Sequence, residues 1–153
     1  MTKPAAVATE SNSLLWERIA PSLVKEKTDA RGSFEVYMPA PNVCLTRARG
    51  VLSLAQARLI PEVLDERLKD GQKVALFYEW EKLINYESEA RPMLTNWGIA
   101  NVRKLRSIDV IVSSRIMALG IATASLAMKL IRLPVYSHSR REDFESSLER
   151  AIQ

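Results

Sequence analysis

One cysteine and one histidine are all that the 153 residues hold of thiol and imidazole metal ligands. Cys44 has no second cysteine, so an intrachain disulfide is excluded. His138 lies far from Cys44 in the chain, and a zinc site would need carboxylates or a second subunit to complete it. Glycine is also scarce, at five residues. No G-x-G-x-x-G and no P-loop follows a strand-like run, so neither phosphate cradle is written here. There is no G-x-S-x-G elbow. A Ser-His-Asp relay would have to use His138, and nothing in the sequence pairs it. No catalytic residue, metal or cofactor is therefore expected.

Charge of one sign is not concentrated either. Lys and Arg number 22 against 18 Asp and Glu, a net charge of +4. The two signs are interleaved, and the basic clusters are short (Arg103-Lys104-Leu105-Arg106 and Arg140-Arg141). Nucleic-acid binding usually needs a basic face or stripe, so no nucleic-acid partner is expected. The start of the chain lacks a basic stretch followed by an apolar one, so no signal peptide is expected. The longest apolar run, Ile116 to Met128, is too short to cross a bilayer and contains Thr and Ser, so no membrane span is expected. The cysteine usage points to a cytoplasmic address.

What is present is an ordinary folding balance, 47% hydrophobic and 26% charged, in a length that fits one domain plus a tail. Residues 1–30 read as a flexible arm. Within it Leu14, Leu15, Trp16, Ile19 and Leu23 suggest a short helix stopped near Pro21, which either docks on the body or binds a partner. Asp29 to Ser33 is turn-rich punctuation, and residues 31–153 read as a single domain. Phe34–Met38 and Val43–Arg49 alternate as strands do and are joined by a turn short enough to force antiparallel pairing. Cys44 falls within that apolar alternation as a small core residue.

Ser53 with Gln56 is a capping-box pattern opening a helix that runs to Asp70 and stops at Gly71. Pro61 should kink that helix or move its effective start. Val74–Tyr78 is a continuous apolar strand, covered on both faces. The stretch from Trp80 to Tyr86 reads as a long connection, with a helix beginning near Ser88. Ile108–Val112 is the next apolar strand, followed by a helix Arg115–Leu130 capped by Ser113-Ser114. Pro134–Ser137 is a last short strand. Ser139 with Glu142 would cap a terminal helix. This alternation predicts an α/β fold: a five-stranded mixed, mainly parallel sheet flanked by about four helices.

Three groups of residues carry functional readings. Trp80, Asn85, Tyr86 and Ser88 sit in and after the connection behind the central strand, where aromatics line a partner site or plug the sheet end. Ser88 reads as a helix N-cap. Ser113, Ser114 and Arg115 follow a strand and open a helix, a place where an anion can be held. Gly120 and Ala124, four apart, give a helix a small-residue face that either packs flat on its own sheet or docks a second subunit as a homodimer.

Three stretches, KVALFYEWEKLINYESEAR, IDVIVSSRIMALGIATASLAM and VYSHSRREDFESSLERA, stand in the order of a central strand with its switch loop, the next strand with its helix, and a closing strand and helix. In that order and in size, the body from about Phe34 to Gln153 resembles the STAS domain, the family of sulfate transporters and bacterial anti-sigma factor antagonists. It looks most similar to a STAS-like group of uncharacterised bacterial proteins, some placed near the CRAL-TRIO lipid-binding proteins. The resemblance implies a non-catalytic bacterial signalling or interaction domain that acts on a protein partner, or alternatively a binder of a small apolar, lipid-like ligand. It also makes Ser88 the counterpart of a phosphoacceptor. Phosphorylated antagonists carry Asp-Ser-Ser-Gly or Asp-Ser-Thr-Gly there. This chain has Asn85-Tyr86-Glu87-Ser88-Glu89, and Glu87 and Glu89 would oppose an added phosphate.

Overall fold

Runs of apolar residues at strand spacing build one sheet. In the computed structural model, which describes residues 12–113 and 132–153, the strands are β1 (Leu23–Thr28), β2 (Gly32–Ala40), β3 (Val43–Leu52), β4 (Val74–Tyr86), β5 (Leu105–Val112) and β6 (Val135–His138). They lie side by side in chain order. β1, β2 and β3 pair antiparallel, and β3 to β6 pair parallel. The helices are α1 (Ser13–Ile19), α2 (Leu54–Ala57), α3 (Leu59–Arg67), α4 (Ala90–Ala100) and α5 (Arg141–Ile152).

The strand period of two divides the core into two sheets of side chains. On one face Phe34, Val36, Cys44, Leu76, Trp80 and Leu83 pack under residues of α2, α3 and α4, among them Ala57, Ile60, Leu64 and Ala90. On the other, Tyr37, Val43, Leu45, Phe77 and Ile111 pack under Leu15 and Ile19 of α1 and Phe144 and Leu148 of α5. Phe77 and Phe144 meet edge-to-face at 5.9 Å, the geometry that ring quadrupoles favour.

The mainly parallel α/β layer agrees with the expectation, with one strand more. That strand, β1, belongs to what reads as the arm. All six of its residues are exposed, so burial leaves no periodic mark on Leu-Val-Lys-Glu-Lys-Thr. Only its ladder to β2 makes it a strand, and its lysines suit an open sheet edge. The capping box is present, with Ser53 Oγ accepting from the Gln56 amide at 3.0 Å and Gln56 Oε1 accepting from the Ser53 amide at 3.0 Å. Pro61 shifts the helix start: α2 ends after one turn and α3 begins at Leu59, because a proline at 61 has no N–H to give the carbonyl four residues back. Gly71, at φ +83°, closes the segment in the left-handed conformation.

Three local readings are corrected. The stretch Trp80–Tyr86 is not a connection but the second half of β4. Two places where β4 carries one residue more than β3, between Glu79 and Lys82 and between Leu83 and Asn85, break the alternation that would have marked it as strand. Ser88 is not a cap: it lies in the turn before Glu89, the N-cap of α4, which makes no side-chain cap bond. Nor does Ser139 cap the last helix, since α5 starts at Arg141 behind Arg140. The helix expected over 115–130, with Gly120 and Ala124, lies outside the described residues.

Candidate functional site

β4 outruns its neighbour. Its ladder to β5 ends at Trp80↔Val112, while its ladder to β3 continues to Leu52↔Tyr86. The projecting end carries Ile84, 69% exposed, and exposed Asn85, whose Oδ1 accepts from the Tyr86 amide at 2.8 Å. Tyr86 is half-buried against the core. Beyond it Glu87 ties the turn down. Its amide donates to the Leu52 carbonyl at 2.8 Å, and its carbonyl accepts from the Ala90 amide at 3.0 Å. Its carboxylate accepts from the Leu54 amide at 2.7 Å and from Arg31 at 2.5 Å. The Leu54 amide first, and then the Arg31 guanidinium, hold that carboxyl below the usual carboxylate range. Ser88 follows, exposed.

Trp80 does not join this rim. It is 6% exposed, its indole donates to Thr46 Oγ1 at 2.9 Å, and its ring stacks on Tyr78 at 4.5 Å. Its side chain belongs to the packed face under α2–α4, and a partner cannot reach it. Ser113 is exposed at the end of β5, with its hydroxyl donated to the Glu81 carbonyl at 2.6 Å. Ser114 and Arg115, the rest of the expected anion site, lie outside the described residues.

The opposite face of the sheet holds a polar centre that sequence reasoning missed. Arg141, at the first turn of α5, places Nη1 2.6 Å from both Glu79 and Glu81 of β4 and Nε 3.1 Å from Glu145 one turn on. Arg47 of β3 reaches Glu79 from the other side at 3.3 Å. Glu79 and Glu145 are 4% and 5% exposed, and burying such groups is costly unless they are paired. Burial pulls the Arg141 guanidinium down, and the bonds to Glu79 and Glu81 outweigh it and leave its pKa above the ordinary value. Nearby, burial and then the bond to Glu35 push the Tyr37 hydroxyl up to about 12. The available sign was a charge set among apolar strand residues, at Arg47, Glu79 and Asp109. No spacing rule in one strand shows that β3 and β4 put two of them opposite each other, Arg47↔Glu79.

Asp109 is buried on β5. Its Oδ2 accepts from Ser147 at 2.8 Å and lies 2.7 Å from His138 Nε2. The serine therefore gives its proton to the aspartate and not to the imidazole, which is not the order a nucleophilic relay requires. Cys44 is buried, and burial pushes its thiol up to about 12, away from nucleophilic use. Among the described residues, no group of three or more His, Cys, Asp or Glu side chains is placed to hold a metal.

No family model matches the chain, and no curated protein matches it in sequence. Solved structures do match in shape. One is an uncharacterised protein of the DUF3478 family with a SpoIIAA-like fold from Shewanella loihica PV-4. It has a TM-score of 0.58 at 10% identity, over 80% of this chain and 98% of that one. Another is the anti-sigma factor antagonist SpoIIAA in its unphosphorylated form, at 0.52 and 15%, over 77% of this chain and 96% of that one. This chain has a STAS-like, SpoIIAA-like fold. At such identities the likeness speaks for the fold alone. In this chain Glu87 bonds to the Leu54 amide and Arg31, immediately before Ser88. Among the described residues no helix is long and apolar enough to cross a membrane.

Proposed function

We propose that this chain is a bacterial, cytoplasmic, STAS-like regulatory domain that works by protein–protein contact, without catalysis. The observation that carries this reading is the projecting end of β4. There an exposed isoleucine and Asn85 stand at the end of the strand, and Ser88 sits in the following turn, which the four bonds of Glu87 hold in place. Exposed apolar surface on a rigid support suits recognition, because little ordering entropy is lost on binding. The SpoIIAA-like fold supports the same direction. Partner contact runs through Ile84, Asn85, the exposed edge of Tyr86 and Ser88, and Trp80 takes only a supporting part beneath them.

Ser88 is the site of modification in this reading. Its hydroxyl is exposed two residues before α4, where a phosphate meets the positive helix end. Glu87 and Glu89 repel such a phosphate, so the group acts by disturbing the turn rather than by settling into it. The test is site-specific photo-crosslinking from position 84 or 88, with position 66 on α3 as the control. A discrete adduct from the rim positions, absent at 66 and, for the position 84 crosslinker, lost with Ser88→Glu, supports the reading. Equal labelling from all three positions rejects it. The apolar-ligand alternative rests on the helix over 115–130, and the described residues carry no observation that favours it.

A further inference from the structure

Among the described residues, the first helix is held by few and separable contacts. Of its seven residues only Leu15 and Ile19 are buried. It passes through the turn Ala20–Ser22 into β1, whose residues are all exposed. Trp16 makes the polar hold. Its indole Nε1 donates to Glu145 at 2.6 Å, and its ring lies 4.4 Å from the Arg47 guanidinium carbon and 5.4 Å from that of Arg141. The Asn12 amide donates to the other Glu145 oxygen at 3.0 Å. Arg18 lies 3.9 Å from Glu149 in a solvated pair.

The charges beneath this helix are already paired with one another, Arg141 with Glu79 and Glu145, and Arg47 with Glu79. Lifting α1 takes from Glu145 two donors that water replaces, and it restores hydration to buried ions whose desolvation is costly. That return offsets part of the loss of burying Leu15 and Ile19. Segments with few buried contacts open well below the global unfolding free energy. The place left behind joins an apolar floor, where Tyr37, Val43 and Leu45 cluster with Leu15 and Ile19, to an acceptor at Glu145 and two cation faces.

The geometry points to α1 as a releasable strap, and to the groove under it as a docking site for an amphipathic helix of a protein partner. The resident helix defines the occupant's chemistry: a Leu-Trp-x-x-Ile face, with two aliphatic anchors four apart, an indole ring near two guanidinium groups and an N–H given to a carboxylate. This surface lies on the sheet face covered by α1 and α5 and does not depend on the β4 rim.

The test uses the full chain and a fluorescein-labelled peptide of residues 12–22, read by anisotropy. A closed strap lowers apparent affinity by the fraction of molecules that are open. The peptide should therefore bind Trp16→Ala protein roughly tenfold more tightly than the native chain, while a peptide carrying Trp16→Ala should bind neither. Equal binding to both proteins, or none to either, overturns the proposal. Hydrogen exchange on the unaltered chain tests it without any variant. Amides of α1 should exchange about a hundredfold faster than those of β3 and β4, and protection in α1 equal to that of β3 overturns it.

Discussion

Arg141→Met is the most informative single change. The side chain is 17% exposed and serves three carboxylates at once. Among the described residues, its loss leaves Glu79 with only the 3.3 Å contact to Arg47, and leaves Glu145 with the Trp16 and Asn12 donors. Removing one partner of a buried ion pair costs about 3–5 kcal/mol. The surviving partners place this case near the low end, about 3 kcal/mol. In a domain of this size that lowers the midpoint of thermal unfolding by about 6–12 °C. Urea denaturation followed by circular dichroism measures it, and a double-mutant cycle isolates the pair. Glu79→Gln alone leaves Arg47 beside a neutral amide and takes from Arg141 one of its three carboxylates. The double variant removes both the charge and its counter-charge. It should therefore be more stable than the sum of the two single losses, by at least about 1 kcal/mol. Additive losses, or a single-variant cost below about 1 kcal/mol, would refute the argument that these buried charges persist by mutual pairing.

Other perturbations test other parts of the structure. Thr46→Val keeps shape but leaves the buried Trp80 N–H without its acceptor, and should cost about 1–3 kcal/mol by urea denaturation. Gly50→Ala places a Cβ onto the Arg31 carbonyl oxygen at a backbone φ of +74°, whereas Gly71→Ala at φ +83° meets open space. The second should cost about 1 kcal/mol and the first clearly more. Cys44, with its thiol pushed up to about 12, should resist an aromatic disulfide reagent in the native state and react at once in denaturant. Glu87 has its pKa lowered on folding. Its contribution is complete above the ordinary value of 4.5 and fades as pH falls through the lowered one. Glu87→Gln should therefore flatten the acid limb of a stability–pH curve, and an unchanged limb would deny the tie to Leu54 and Arg31.

Much of the layer was legible because burial writes periodicity. Val74–Tyr78 is a continuous apolar run and Ile108–Val112 is apolar but for Asp109, and both lie in strands of the parallel part. The Ser53–Gln56 box and the stop at Gly71 also stand where their chemistry places them. Legibility failed where burial was missing or interrupted. β1 is exposed throughout, and the far half of β4 is broken by two bulges. Ser88 and Ser139 have capping chemistry, yet neither occupies a cap. Arg141 at the head of α5 has three acids to satisfy, and Ser139 stays outside the helix.

Local order along the chain therefore determined the class of fold, a sheet with helices on its flanks, because strand and helix periods are properties of neighbours in sequence. Register across strands decided the rest. Arg47 and Glu79 are 32 residues apart, and Trp16 and Glu145 are 129 apart. No period in one segment encodes such meetings. They exist only once β3 lies against β4 and α1 and α5 share one face, since that arrangement alone brings opposite charges within bonding distance and removes the water that would otherwise satisfy them.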